Sequence, residues 1–170
     1  MPGGFGRVGL AWRYRQSAPA QSVSVAVTAA LPDGSKVLVC GGANGGTIYD
    51  TGEVYTTATG LWTAAGNAMS VPRRKHRVVA LDVSRVLITG GDQPTATCDL
   101  FDYGSNLFAA TGAMNHPRCL HAACRLADGS ALVVGGSSDT SAHGLTVEVY
   151  NSALGTWGLA SGVLQGTARN

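Results

Sequence analysis

The chain has 170 residues, of which 13% are charged, with a formal net charge of +2 and 24 glycines. So small a charge gives no electrostatic ground for nucleic-acid binding, and no run of 18 apolar residues is present to cross a membrane as a helix. Low charge, abundant glycine and the lack of a long helical period predict a turn-rich, all-β protein.

Residues 1–21 come first. Their basic stretch MPGGFGRVGLAWRYRQ lacks the continuous apolar core of a signal peptide. With no Asn-x-Ser/Thr sequon in the chain either, the expected address is cytoplasmic. The segment reads as a leader, although Trp12 followed by Ser17-Ala18-Pro19 also echoes the later spacing from Trp62 to Met69, as a remnant strand would. From residue 22 to 163 one pattern then occurs three times, over 22–73, 74–118 and 119–163, before a tail at 164–170.

Each copy carries an apolar run ahead of two glycines. These are Val37-Leu38-Val39-Cys40 before Gly41-Gly42, Val86-Leu87-Ile88 before Gly90-Gly91, and Ala131-Leu132-Val133-Val134 before Gly135-Gly136. An acidic residue, a spacer and an aromatic follow as Glu53-Val54-Tyr55, Asp99-Leu100-Phe101 and Glu148-Val149-Tyr150. A second aromatic comes next, at Trp62, Phe108 and Trp157. The first two copies close with Met69 and Arg73, and with Met114 and Arg118. Gly41, Gly90 and Gly135 stand 49 and 45 residues apart, the length of one four-stranded unit.

Four strands are predicted per copy. Strand A falls near 22–30, 76–81 and 120–126, and strand B at 36–41, 85–90 and 131–135. Strand C falls at 52–56, 98–102 and 146–150, and strand D at 61–65, 107–111 and 156–160. Unbroken apolar runs suit B strands covered on both faces. The glycines allow close backbone approach, and the aromatics fill wide gaps. Pro32-Asp33-Gly34, Gly104-Ser105 and Asp128-Gly129 supply turns.

The double glycines, with Tyr55 and Trp62, Phe101 and Phe108, and Tyr150 and Trp157, resemble the kelch repeat of kelch β-propellers and of the propeller domain of galactose oxidase. The resemblance spans 22–163 and implies three four-stranded antiparallel propeller blades. Phe101 and Phe108 depart from the usual tyrosine and tryptophan, and the third copy lacks the closing methionine and arginine. Propellers close with four to eight blades, so three leave two apolar faces open, and such faces mark association sites. Head-to-tail pairing of two chains into a six-bladed ring is the expected completion, the chain being a homodimer. The alternative is a piece of a longer array.

In an up-and-down blade the B–C and D–A loops share one face. The B–C loops differ between copies, as recognition loops on a rigid scaffold do: ANGGTIYDT at 43–51, DQPTAT at 92–97 and SSDTSAHG at 137–144. The D–A loops bring the densest charge, Arg73 to Arg77, which offers guanidinium forks to carboxylates. The candidate ligand-binding set is therefore Arg74, Lys75, His76, Arg77, Asp92, His116, Arg118, His121 and His143. Kelch domains of this kind use arginines near the inner ends of strand A for acidic partners, which is what the resemblance implies here. Arg73, repeated as Arg118, reads as structural, and Glu53, Asp99 and Glu148 as buried partners for a repeat arginine or for backbone amides.

His116, Cys119, His121 and Cys124 put four possible zinc ligands into nine residues. Their strand register divides them between faces, and no second converging pair exists, so no metal is expected. Cys40, Cys98, Cys119 and Cys124 occupy small core positions of the repeat, and no disulfide framework is expected. GGANGG at 41–46 lacks the helix, lysine and Ser/Thr of a phosphate loop. No catalytic residue or cofactor is predicted. The expected function is a non-enzymatic module that binds a protein, peptide or glycan, without nucleic acid or membrane. The rivals are an enzyme similar to galactose oxidase or a sugar-modifying protein, for which His76 and His121 lack a tyrosine–cysteine pairing, and a half-propeller without independent function.

Overall fold

The computed structural model describes residues 27–137 and 146–160. The described residues are all-β and form three four-stranded antiparallel sheets plus one short hairpin. The first sheet orders β1 (Val27–Ala30), β2 (Lys36–Cys40), β5 (Gly52–Thr56) and β6 (Leu61–Ala64) side by side. The second repeats this with β7 (Arg77–Ala80), β8 (Arg85–Thr89), β9 (Cys98–Asp102) and β10 (Leu107–Thr111). The third uses β11 (Ala122–Arg125), β12 (Ala131–Val134), β13 (Val147–Asn151) and β14 (Thr156–Leu159). In each sheet these are strands A to D, in chain order. Among the described residues no helix is long and apolar enough to cross a membrane.

The first strands of neighbouring sheets lie together, β1 against β7 and β7 against β11. Each sheet shows one face forward along the chain and one backward. Leu38, Cys40 and Val54 of the first sheet pack on Val86, Ile88, Phe101 and Phe108 of the second. Val79, Leu87 and Cys98 of the second sheet pack on Ala131, Val133 and Tyr150 of the third. The middle sheet is thus covered on both faces, and the unbroken run Val86-Leu87-Ile88 is buried throughout.

The repeat aromatics are direct cross-strand neighbours: Tyr55 opposite Trp62, Phe101 opposite Phe108, and Tyr150 opposite Trp157. Their ring centroids lie 5.1, 4.8 and 5.2 Å apart, the spacing of attractive tilted aromatic pairs. Trp157 also donates its indole N–H to the Gly112 carbonyl across the junction at 2.9 Å.

The double glycines have a specific cause. Gly41 and Gly42 have φ of 63° and 97°, Gly90 and Gly91 of 65° and 145°, and Gly135 and Gly136 of 67° and 94°. A Cβ on Gly90 would lie 2.3 Å from the Arg118 carbonyl oxygen and 2.8 Å from the His121 ring. The next sheet's entry loop occupies the space a side chain would need.

Two features depart from expectation. The first B–C loop holds a hairpin of β3 (Ala43–Asn44) and β4 (Thr47–Ile48), turned by Gly45 and Gly46 at φ 54° and 94°. Two successive positive φ values are what a tight hairpin turn requires. Cys124, expected in the core, is exposed. Its repeat equivalents Ala29 and Val79 are covered by the following sheet, whereas Cys124 lies on the third sheet, which has no sheet after it among the described residues.

Candidate functional site

The B–C and D–A loops meet at one end of the sheets through backbone bonds. Met69 and Arg73 donate to the carbonyls of Asp50 and Tyr49, and Met114 and Arg118 donate to those of Ala96 and Thr95. Each D–A loop thus runs along its own sheet's B–C loop and then sends its arginine into the next sheet. Met69 and Met114 are buried where these loops turn.

The two arginines make the same set of contacts. Arg73 donates from Nη1 to the carbonyls of Gly90 at 2.7 Å and Thr97 at 2.8 Å. Its Nη2 reaches Thr97 Oγ1 at 3.1 Å and Asp99 Oδ2 at 2.7 Å. Arg118 donates from Nη1 to the carbonyls of Gly135 at 2.9 Å and Thr146 at 3.3 Å. Its Nη2 reaches Thr146 Oγ1 and Glu148 Oε1, both at 2.7 Å. All four charged side chains are at most 1% exposed. The acids receive further donors. Ser70 donates its backbone N–H and hydroxyl to Asp99, and Asn115 its backbone and side-chain N–H to Glu148. Burial works to raise the Glu148 pKa but is outweighed by the Asn115 and Arg118 donors, so it sits below the usual carboxylate range.

Arg118, placed by its sequence among the ligand-binding residues, is therefore occupied inside the protein. His76 and His121 are buried as well. Nε2 of His76 lies 3.7 Å from Cys40 Sγ, and Nε2 of His121 lies 2.8 Å from Thr89 Oγ1. Both partners end a B strand of the preceding sheet, so each histidine is part of a junction. Burial, with Arg73 and Arg77 adding, holds the His76 pKa down to about 4. Burial, with Arg118, Arg77 and His76 adding, holds that of His121 down to about 3. Both imidazoles are neutral at physiological pH. Burial likewise pushes the Cys40 and Cys98 thiols up to about 12, leaving them inert.

What remains on the surface is a compact charged group. Arg74 forms an ion pair with Asp92, and Lys75 Nζ lies 3.1 Å from the same carboxylate. The side chains of Arg74 and Lys75 are 36% and 38% exposed. Hydrogen bonds from Lys75 first, then Arg74, hold the Asp92 pKa below the usual range. The backbone binds these loops too, through Asp92 N–H to the Arg74 carbonyl at 2.7 Å and Leu120 N–H to the Lys75 carbonyl at 3.0 Å. Lys75 and Leu120, each just before its buried histidine, share a left-handed backbone with φ of 56° and 55°, which non-glycine residues adopt only where the surroundings enforce it. The result is an exposed pair of cations anchored by one acid.

Arg77 is half-buried and donates to its neighbour, the His76 carbonyl, at 3.2 Å. The His116 ring lies 3.5 Å from Glu148. His143 lies outside the described residues. The structure thus brings Arg74, Lys75 and Asp92 together and assigns His76, Arg118 and His121 to the sheet junctions. Among the described residues no group of three or more His, Cys, Asp or Glu side chains is placed to hold a metal ion. Thr97 and Thr146, each two residues before the acid, escaped the sequence reading. Their signal was present, since Thr51 holds the same place in the first copy. A comparison with known families finds no family model that matches this chain, and a comparison with curated proteins finds no matching relative.

Proposed function

We propose that this chain is a kelch-type propeller module, three blades that pair with a second chain into a six-bladed ring and bind acidic segments of a partner. The partner class is a protein or peptide, or a glycan carrying carboxylates. The observation that carries this reading is the group of Arg74 and Lys75 on Asp92. Two cations and one anion leave a net positive patch, on loops held by paired backbone bonds. A guanidinium fork in such a place binds a carboxylate in two-point fashion. Support for the propeller comes from three sheets of one strand order, stacked with their first strands together, with Arg73 and Arg118 each reaching into the next sheet.

The test is charge reversal, Arg74→Glu with Lys75→Glu. These side chains are over one-third exposed, so the change costs folding only about 0.5–1 kcal/mol. Binding of fluorescent peptides rich in Asp and Glu is then compared with binding of neutral peptides of equal length. The expected result is at least a tenfold loss for the acidic set alone. Equal binding of both peptide sets by the unaltered protein overturns the acidic-ligand assignment.

A further inference from the structure

We propose that the acidic ligand is a peptide with an apolar side chain two residues from its carboxylate, and that Leu120 receives this side chain beside Arg74 and Lys75. The inference rests on the acidic-ligand reading above and narrows the partner class to a peptide segment both acidic and apolar.

Backbone strain gathers at the charged group. Among the described residues four that are not glycine have a left-handed φ: Lys75, Gln93, Asn106 and Leu120. Asn106 sits in a C–D turn, where asparagine is at ease in that conformation. The other three surround one carboxylate. Lys75 pairs with Asp92, Gln93 follows Asp92 in sequence, and Leu120 donates its N–H to the Lys75 carbonyl at 3.0 Å. Strain of this kind concentrates at ligand clamps.

Leu120 is the least expected of the three. Its neighbours Cys119 and His121 are 5% and 0% exposed. Cys119 exchanges two backbone bonds with Ser137 at 2.9 and 2.8 Å, and the His121 ring meets Thr89. Both flanks are therefore fixed, and the leucine between them is turned outward, 54% exposed. Leu61, Val83, Leu107, Leu154 and Leu159 are exposed as well, but none of them has a left-handed φ. An exposed leucine on ordinary backbone needs no explanation. A leucine on strained backbone with its side chain in water gains little from the fold, since glycine or asparagine serves the same bend better. Such conflicts between local preference and fold belong to sites of function.

Lys75 takes the same position in the preceding junction. A cation and an apolar side chain thus leave the surface from backbones joined by one hydrogen bond. In an extended peptide, residues two apart share a face at about 6.5–7 Å. One such side chain suits the cations and the next on that face suits Leu120. A uronic-acid chain carries carboxylates but no aliphatic side chain for Leu120, which favours the peptide.

The experiment measures binding to the full chain by fluorescence anisotropy. The probes are labelled peptides of equal length, built from Glu-Ser-Leu, Glu-Ser-Ser or Gln-Ser-Leu units, and a labelled oligogalacturonate. The expected result is that Glu-Ser-Leu binds at least about fivefold tighter than Glu-Ser-Ser, as burial of one or two methylene groups gives. In Leu120→Asn the two should bind alike. Asparagine accepts the left-handed backbone, so this variant should unfold at no lower temperature than the unaltered protein. Equal binding of Glu-Ser-Leu and Glu-Ser-Ser by the unaltered protein overturns the apolar contact and leaves the acidic site standing. A preference that survives in Leu120→Asn overturns Leu120 as its seat. A Leu120→Asn variant that unfolds well below the unaltered protein shows that the leucine serves the fold, and overturns the proposal. Tighter binding of the oligogalacturonate than of Glu-Ser-Leu overturns the peptide. Equal binding of Gln-Ser-Leu and Glu-Ser-Leu overturns the acidic-ligand reading itself.

Discussion

Arg73 leaves the loop after the first sheet and ends 2.7 Å from Asp99 in the second, with both side chains shut away from water. Removing one partner strands the other as an uncompensated buried charge, which costs about 3–5 kcal/mol. Arg73→Ala is therefore expected to lower unfolding stability by that amount in urea titration. The paired apolar replacement Arg73→Met with Asp99→Leu is expected to cost less than either single change. A loss below about 1 kcal/mol for Arg73→Ala, the worth of a mere surface pair, would show that the two residues do not fasten the sheets.

The paired glycines make a sharper comparison. Gly34 has φ of 70° but nothing within 4 Å of an added Cβ, so Gly34→Ala carries backbone strain alone, about 1 kcal/mol. Gly41→Ala adds collisions at 2.5 Å with the Arg73 carbonyl and 2.7 Å with the His76 ring. The second variant is expected to be the less stable by about 2 kcal/mol or more in thermal or urea unfolding. Equal losses would place the junction elsewhere.

Acid acts through the two buried histidines. Their folded pKa values, about 4 for His76 and about 3 for His121, lie below the ordinary 6.5. The unfolded chain therefore takes up protons first as pH falls. Stability is full above pH 6.5 and declines below it, down toward the folded values, by up to about 1.4 kcal/mol per pH unit per histidine. By pH 5 that amounts to roughly 2 kcal/mol each. Urea midpoints measured between pH 7.5 and 5 should follow this slope, and His121→Gln should remove about half of it. A flat profile would mean that the imidazoles are protonated in the folded state.

Cys124 reports on the open end of the stack. It is the one exposed thiol of the four, beside buried Cys40, Cys98 and Cys119. In dilute protein a thiol reagent should label one site quickly and the others only on unfolding. Pairing of chains should cover Cys124, as Ala29 and Val79 are covered, so its labelling should slow as concentration rises. A rate independent of concentration in a dimeric protein would place the contact on another face.

The strands were legible because the repeat was: the B, C and D strands lie within about one residue of their expected spans. The sheet order came from the same spacing. Side-chain roles were legible only in part. Glu148 and Asp99 read correctly as buried partners because an acid inside an apolar face needs a cation, whereas Glu53, expected to be the same, is only half-buried. Arg118 was assigned to ligand despite its equivalence to Arg73, since a sequence shows charge density but not depth. His76 and His121 were misplaced for the same reason. Cys124 failed differently: alignment with Ala29 and Val79 assumes that every copy has the same neighbours, and the last sheet does not. Gly45-Gly46, which lacks the residues of a phosphate loop, is a hairpin signal between Ala43-Asn44 and Thr47-Ile48. The triplicate threonine is silent in the sequence because a hydroxyl declares no partner until the arginine is in place.

Among the described residues the two buried arginine fastenings, Arg73 and Arg118, run in one direction, from a unit into its successor. The second and third units carry the acceptor for the unit before them, and the first two carry the donor for the unit after them. Such a unit can be multiplied by tandem duplication of its coding segment without inventing a new contact surface, because a fresh copy arrives already matched to its parent. The cost falls on the ends, where selection must either find a mate for the exposed halves or tolerate them. The length of the array is thus free to drift in evolution while the grammar that joins its members stays constant.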